Sequence, residues 1–361
     1  MKRMDAGELK GYRRLHQMKL VCLAVWAMGL AMGLGGGVAG LRAADAAALK
    51  ANAVAVSAAM NLLATLDADS RRRAVFDFGD EEQRGRWSNL PTGLYRRAGL
   101  RMGDLKEHQV KATEAVLDAI LSKAGREKVA GIIAGDDKLD PGEGGRRLVF
   151  GKDEYYLAFL GEPSESKPWG FQFGGHHLAI NITWVGDRAT AAPSHTGAQP
   201  ARFEINGKLV RPLGREADLA HALVNDLAPA VRAKAIVRAE FHDLILGPGT
   251  EMRAIFPEGV SVSEFGEKQR GMLLELAGNW VGLLPEAAAS AKMAELNKTL
   301  SETWFAWSGP TKAGSPAYFR IHGPAVFIEY APQRMGGDPT QHVHTIYRDP
   351  SNEYGRKWLG R

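Results

Sequence analysis

The stretch Trp169-Gly170-Phe171-Gln172-Phe173-Gly174-Gly175-His176-His177-Leu178-Ala179-Ile180-Asn181-Ile182-Thr183-Trp184-Val185 decides the fold class. Large apolar residues recur there at every second position on both sides of the Gly-Gly-His-His segment. That is the period of a strand and not of a helix. The same pattern marks residues 154–160, 188–192, 303–307, 317–321, 325–331 and 342–347. Between Arg202 and Val210 the dipeptide Asn206-Gly207 adds a hairpin signal, because both residues suit the left-handed backbone of a type I′ turn.

Working outward, the segments between these runs are helical. Residues 45–66 are Ala-rich and contain neither Gly nor Pro. Asp104 suits the N-cap of a helix through Ala124, closed by Gly125 and followed by a shorter helix over 126–134. Further helices are expected over 215–227, 229–237, 263–283 and 285–300. Arg71-Arg72-Arg73 fits a solvated helix face. The order is helices, strands, helices, strands, which is wrong for regular βαβ alternation. It implies an α+β fold, mainly an antiparallel sheet with helices inserted between strand groups. The expected organisation is a leader over residues 1–44 and one domain over 45–361, helical over 45–145 and mixed over 146–361.

The leader expectation rests on Arg13, Arg14 and Lys19, the apolar run Leu20 to Leu34 and the small residues after it. That is the order of a secretory signal peptide, so the mature chain is expected in the periplasm or outside the cell. The leader holds seven Lys/Arg and two Asp/Glu, which equals the whole chain's net charge of +5. The remainder is formally neutral, which argues against nucleic acid and, after leader removal, membrane as partners. Cys22 is the single cysteine and lies in the leader. Disulfides, zinc fingers and iron–sulfur clusters are therefore excluded from the mature chain, and any metal must be held by His, Asp, Glu, Asn or backbone oxygen.

His342-Val343-His344 places two imidazoles on the same face of a strand, at chelating spacing. Adjacent His176 and His177 would face opposite ways on a regular strand, so one or both join such a site depending on distortion at Gly174-Gly175. Glu329 stands in the otherwise apolar run Val326-Phe327-Ile328-Glu329-Tyr330, where a buried carboxylate needs a partner. With the two histidines it suggests a two-histidine, one-carboxylate metal site, or a general base beside one. A salt bridge to Arg320 or Arg348 accounts for Glu329 equally well. Arg320, two residues before His322, suits an anionic or carbonyl substrate. His195, in Pro193-Ser194-His195-Thr196-Gly197, reads as an exposed turn residue, and His108, His221 and His242 read as surface residues on or near helices.

The chain also echoes itself. Trp169 to Asn181 and Tyr318 to Glu329 share an aromatic strand, a glycine and a second strand; aligning Gly175 with Gly323 sets Asn181 opposite Glu329. Chance similarity and duplication both account for this, and duplication would carry His195 and the His342–His344 pair to comparable places in one sheet.

Three stretches, Trp169 to Trp184, Pro248 to Leu284 and Tyr318 to Trp358, resemble a bacterial and fungal family known as domain of unknown function number 3500. The resemblance is carried by Gly175-His176-His177-Leu178 with Asn181, by Gly247-Pro248-Gly249, and by Gly323-Pro324 with Ile328-Glu329-Tyr330. It closes on His342-Val343-His344-Thr345-Ile346-Tyr347-Arg348-Asp349-Pro350. It implies export and assigns no reaction.

These readings converge on an exported metalloprotein, with His342, His344, Glu329 and one or both of His176 and His177 holding a divalent zinc, copper or iron ion. The expected activity is hydrolysis of a small-molecule or polymeric substrate by metal-activated water. The alternatives are copper- or iron-dependent oxidation, and a non-catalytic ligand- or carbohydrate-binding protein gripping its ligand with Trp169, Trp184, Trp304 and Trp307.

Overall fold

The computed structural model describes residues 49–139, 148–250, 253–335 and 337–359. The expected leader lies outside them. Among the described residues no helix is long and apolar enough to cross a membrane. The strands are β1 (Val75–Phe76), β2 (Leu100–Arg101), β3 (Tyr156–Leu160), β4 (Trp169–Gly175), β5 (Leu178–Val185), β6 (Arg188–Thr190) and β7 (Ser194–Ala198). They continue as β8 (Phe203–Ile205), β9 (Lys208–Val210), β10 (Val260–Ser261), β11 (Trp304–Ser308), β12 (Tyr318–Gly323), β13 (Val326–Pro332) and β14 (Val343–Arg348). Twelve of them form one sheet in the order β1-β3-β4-β5-β7-β14-β13-β12-β11-β10, with β2 on β3 and β6 on β5. The pairing is antiparallel except between β1 and β3. The fold is α+β. β8 and β9 form the separate Asn206-Gly207 hairpin, with both turn residues at positive φ.

Apart from β1 and β6, which have no counterpart, the strand order is a palindrome about the β7–β14 seam with β2 matching β10, and the chain order explains it. Each half runs short strand, 3-10 turn, two helices, then strands. The first half is β2, Met102–Asp104, Glu107–Ile120, Lys123–Asp136, β3, β4, β5, β7; the second is β10, Val262–Glu264, Glu267–Val281, Glu286–Lys298, β11, β12, β13, β14. Corresponding hydrogen bonds repeat: Met102 N–H donates to Tyr155 O (2.7 Å), and Val262 N–H to Thr303 O (2.8 Å). The echoed hairpins also correspond in register, with Gln172 opposite Asn181 and Arg320 opposite Glu329.

The two faces of the sheet have different cover. Ile328, Tyr330, Phe319 and Thr345 face the helical layer, where Trp280 packs edge-on against Phe319 and donates its Nε1–H to Thr345 Oγ1 (3.0 Å). The helix Glu267–Val281 buries Leu273, Leu276, Ala277, Trp280 and Val281, the stripe expected of one amphipathic face. Ala179, Phe327 and Ile346 lie on the opposite face under Trp87 and Leu246, which come from irregular segments. Both faces are buried, so polar residues on the second face are shut away from water.

Several expectations change. β7 is a central buried strand and not a turn, and His195 within it is fully buried. The helix assigned to 126–134 begins earlier, because Ser122 caps Lys123–Asp136 by accepting from Gly125 N–H (3.0 Å); Gly125 lies inside it. His221 is buried against Trp307, with ring centroids 4.9 Å apart. Trp169, Trp184 and Trp307 are core residues, which removes them from any carbohydrate groove.

Gly99 and Gly259 occupy equivalent places before β2 and β10, at φ +96° and +88°. A Cβ at either would lie 2.2 Å from a backbone carbonyl oxygen, of Leu157 or of Phe305. Gly207 is also at positive φ, but a Cβ there would meet nothing within 4 Å. Gly99→Ala and Gly259→Ala are each expected to destabilise the fold by more than about 2 kcal/mol, and Gly207→Ala by about 1 kcal/mol. Denaturant unfolding of the three variants checks this.

Candidate metal centre

The hairpin between β4 and β5 closes on His176 and His177, since Gly175 pairs with Leu178. His177 has φ 60°, an uncommon conformation for a bulky residue. Two backbone bonds hold it there: its N–H donates to Asn89 O (3.2 Å), and its carbonyl accepts from Gly197 N–H (2.6 Å) on β7. The ring lies over Gly197, where an added Cβ would stand 3.0 Å from His177 Cδ2. Glycine at 197 is therefore what lets the turn histidine fold down onto the sheet.

There it meets β14. His177 Nε2 lies 2.9 Å from His342 Nε2, which lies 3.1 Å from His344 Nε2. His342 Nδ1 donates to the Met335 carbonyl (2.7 Å), and His344 Nδ1 donates to Asp243 Oδ1 (3.0 Å). Carbonyl and carboxylate oxygens only accept, so both Nδ1 atoms carry hydrogen and each neutral ring turns an Nε2 lone pair inward. Lone pairs 3.1 Å apart repel unless positive charge sits between them. A proton bridges only two of the three nitrogens, whereas a metal ion accepts all three. Ligands about 2.0–2.1 Å from a tetrahedral zinc lie roughly 3.3 Å from one another, close to the separations seen.

The surroundings favour neutral rings. Burial, reinforced by the neighbouring imidazoles, holds His177 well below the usual imidazole range. Burial also lowers His342 to about 4, with His344 adding to the effect. Burial raises Asp243, but its bond to His344 and the Leu244 N–H outweigh this and keep it a carboxylate. Held Nδ1–H groups and inward Nε2 atoms are the arrangement in which histidines bind metals, with the oxygen partner fixing tautomer and ring orientation.

Sequence spacing offers no sign of Asn89, Asp136 or Asp243 around this cluster, and the internal echo alone points to His195. His195 stands beside His344 (ring centroids 5.3 Å), fully buried, with no hydrogen-bond partner on either ring nitrogen. Burial and His344 hold it well below the usual range. Asp243 and Asn89, whose amide lies 3.4 Å from His344 Nδ1, arrive on the two irregular segments that cover the face. Asp136 Oδ1 accepts from His176 Nδ1 at 2.5 Å. Asp136, His176 and His177 form a second group of converging ligand atoms. In this group His176 Nδ1 and Asp136 Oδ1 are hydrogen-bonded at 2.5 Å, and the His176 ring packs against His177 with centroids 3.6 Å and planes 33° apart. The tilted ring-on-ring approach of His176 and His177 sets this group apart from the first, in which Nε2 edges converge.

Glu329 and Arg320, both expected at the site, lie outside both groups. The Glu329 carboxylate accepts from Ile245 N–H (3.0 Å), Leu246 N–H (2.9 Å) and Tyr318 OH (2.6 Å). Its oxygens are committed to the segment that carries Asp243. Burial raises its pKa against the pull of these donors. Arg320 is buried, pairs with Glu258 (2.5 Å) and faces Glu329 across the hairpin, so it is in no position to orient a substrate at the histidines. The first group holds three imidazoles and no carboxylate, and the second includes the Asp136 carboxylate.

The chain belongs to the DUF3500 family. That family, described as proteins of unknown function, matches residues 49–356, the hairpin histidines and β14 included. No curated protein and no solved structure matches this DUF3500 member.

Lowered imidazole pKa values make stability depend on pH. The unfolded chain takes up protons near 6.5, before the buried rings do, so the contribution of neutral His342 is complete above about 6.5 and is lost as pH falls through about 4. Thermal midpoints measured in chelator should fall across that interval, and His342→Gln should flatten the decline.

Proposed function

We propose that this DUF3500 protein is an exported metal-dependent enzyme whose divalent ion is held by His177, His342 and His344. The observation that carries the reading is the convergence of three buried Nε2 atoms, two of them on rings whose Nδ1–H groups are held by oxygen acceptors. Three imidazoles leave a tetrahedral ion a fourth position, and water bound there reaches a pKa of about 7, which supplies a nucleophile at neutral pH. Hydrolysis is the activity this favours. Solvent approaches beside His344, where the Asp243 side chain is 56 % exposed. His177 and His342 are buried beside the sheet, and the exclusion of bulk water around them strengthens their interaction with a cation.

An all-imidazole set also suits copper and iron, which would turn the centre to oxidation. Metal analysis of the purified mature chain separates these possibilities. Stoichiometric zinc supports hydrolysis, stoichiometric copper or iron supports oxidation, and a chain that takes up none of them is a binding module.

The expected result is one ion per chain. His342→Ala and His344→Ala should each weaken zinc binding by more than the roughly 10–100-fold that loss of an outer partner brings, and His195→Ala by less. Competition with a chromophoric chelator measures all three, and equal losses would overturn the assignment. Because zinc would bind only the folded chain, removing it from protein held at one hundred times Kd should lower stability by about 2.7 kcal/mol.

A further inference from the structure

His342 and His344 each have an Nδ1–H anchored on oxygen, but the buried Nδ1 of His177 has no hydrogen-bond partner. Something else must set the angle of that ring. Gly197 bounds it on one side, and the ring of His176 covers it at 3.6 Å with the planes 33° apart. We infer that His176 and Asp136 are a positioning pair: Asp136 fixes the His176 ring, and that ring, packed against His177, aims His177 Nε2 at the metal. The inference rests on the three-imidazole reading above.

Asp136 breaks two local rules. It is the last residue of the helix Lys123–Asp136, where the helix dipole disfavours a negative charge, and it is 1 % exposed. Its surroundings are built to keep it there. Oδ1 accepts from His176 Nδ1, and Oδ2 accepts from Gly151 N–H at 2.9 Å. Phe150 packs against the His176 ring with centroids 5.0 Å apart, and Tyr155 OH donates to the His176 carbonyl at 3.0 Å. Ring, backbone and carboxylate partner of His176 are thus all fixed. A disfavoured carboxylate maintained by this many contacts is consistent with work on a neighbouring group.

Ring packing at this site needs a flat aromatic side chain, whereas ligation needs a nitrogen, and this difference supplies the test. Zinc affinity is measured for the full chain and its variants by competition with a chromophoric chelator, alongside the thermal midpoint of each metal-free protein. His176→Ala and Asp136→Ala are expected to weaken zinc binding roughly 10–100-fold, the range for loss of an orienting partner. His176→Phe, which keeps an aromatic ring against His177 and discards both nitrogens, is expected to restore affinity to within about threefold of the native chain. Asp136→Asn, which keeps an acceptor for Nδ1–H, is expected to do the same. If His176→Phe binds as weakly as His176→Ala, His176 is a ligand and the inference is overturned. Native affinity in His176→Ala, or in Asp136→Ala alone, overturns it too, as do affinity losses that merely follow the metal-free midpoints. A native chain that takes up no zinc removes the three-imidazole reading, and this inference with it.

Discussion

Everything at the centre of this molecule depends on the antiparallel pairing of β7 with β14. Five cross-strand pairs, from Val343–Ala198 to Tyr347–Ser194, join the two halves of the chain. One side of the seam is a hydroxyl contact, Thr196 Oγ1 to Thr345 Oγ1 at 2.7 Å, capped by the Trp280 indole. The other side is imidazole. His344 lies opposite Gly197, and Gly197 leaves the space into which His177 turns. Without that register His177 and His342, far apart in sequence, would not meet.

Burying so many polar groups on one face creates an obligation that the covering segments meet. Unpaired polar groups in a dry interior cost about 1–3 kcal/mol each, so irregular cover must bring partners with it. Glu329 accepts two backbone N–H groups of the segment at 245–246, and Arg348 donates to the carbonyls of Leu246 and Gly247. These bonds hold the stretch that delivers Asp243 to His344. Arg97 does the equivalent elsewhere, donating to the carbonyls of Ser88, Leu90 and Gly175, and so ties the Asn89 segment to the histidine hairpin. Glu329, which in sequence suits a ligand or a base, is thus a fastening of the cover. The ring nitrogens of His195 and the Nδ1 of His177 are left without such partners.

Period-two runs made most strands legible, because alternation survives even where both faces are buried. The Asn206-Gly207 hairpin and the same-face geometry of His342 and His344 were legible for the same local reason. β7 was not. Its prolines on either side, its glycine and its small polar residues are turn chemistry in isolation, and only neighbours on both edges make Ser194–Ala198 a strand. The assignment of Glu329 failed differently: burial of a carboxylate announces that a partner exists without naming it. Asp136 and Asp243 were beyond reach, because their meaning lies in pairings between segments distant in the chain. The internal echo reads in sequence as two similar hairpins, and the matching order of β3-β4-β5-β7 and β11-β12-β13-β14 on either side of the seam gives it structural meaning.

That near-symmetry bears directly on function. If the halves were equivalent, each feature near the seam would occur twice, and those that occur once mark where one half has taken on something the other lacks. At the turn matching His176-His177, the second half carries Pro324-Ala325 between Gly323 and Val326. Where the first half pairs Gln172 with Asn181, the second sets Arg320 beside Glu329. The covering segments differ in the same way, one bringing Asn89 and the other Asp243 to a single imidazole. Architecture repeats while the groups able to bind a cation do not. The histidine turn and the two covering segments, which differ between the halves, all meet at the three converging imidazoles, so the near-symmetric frame carries one polar cluster and not two.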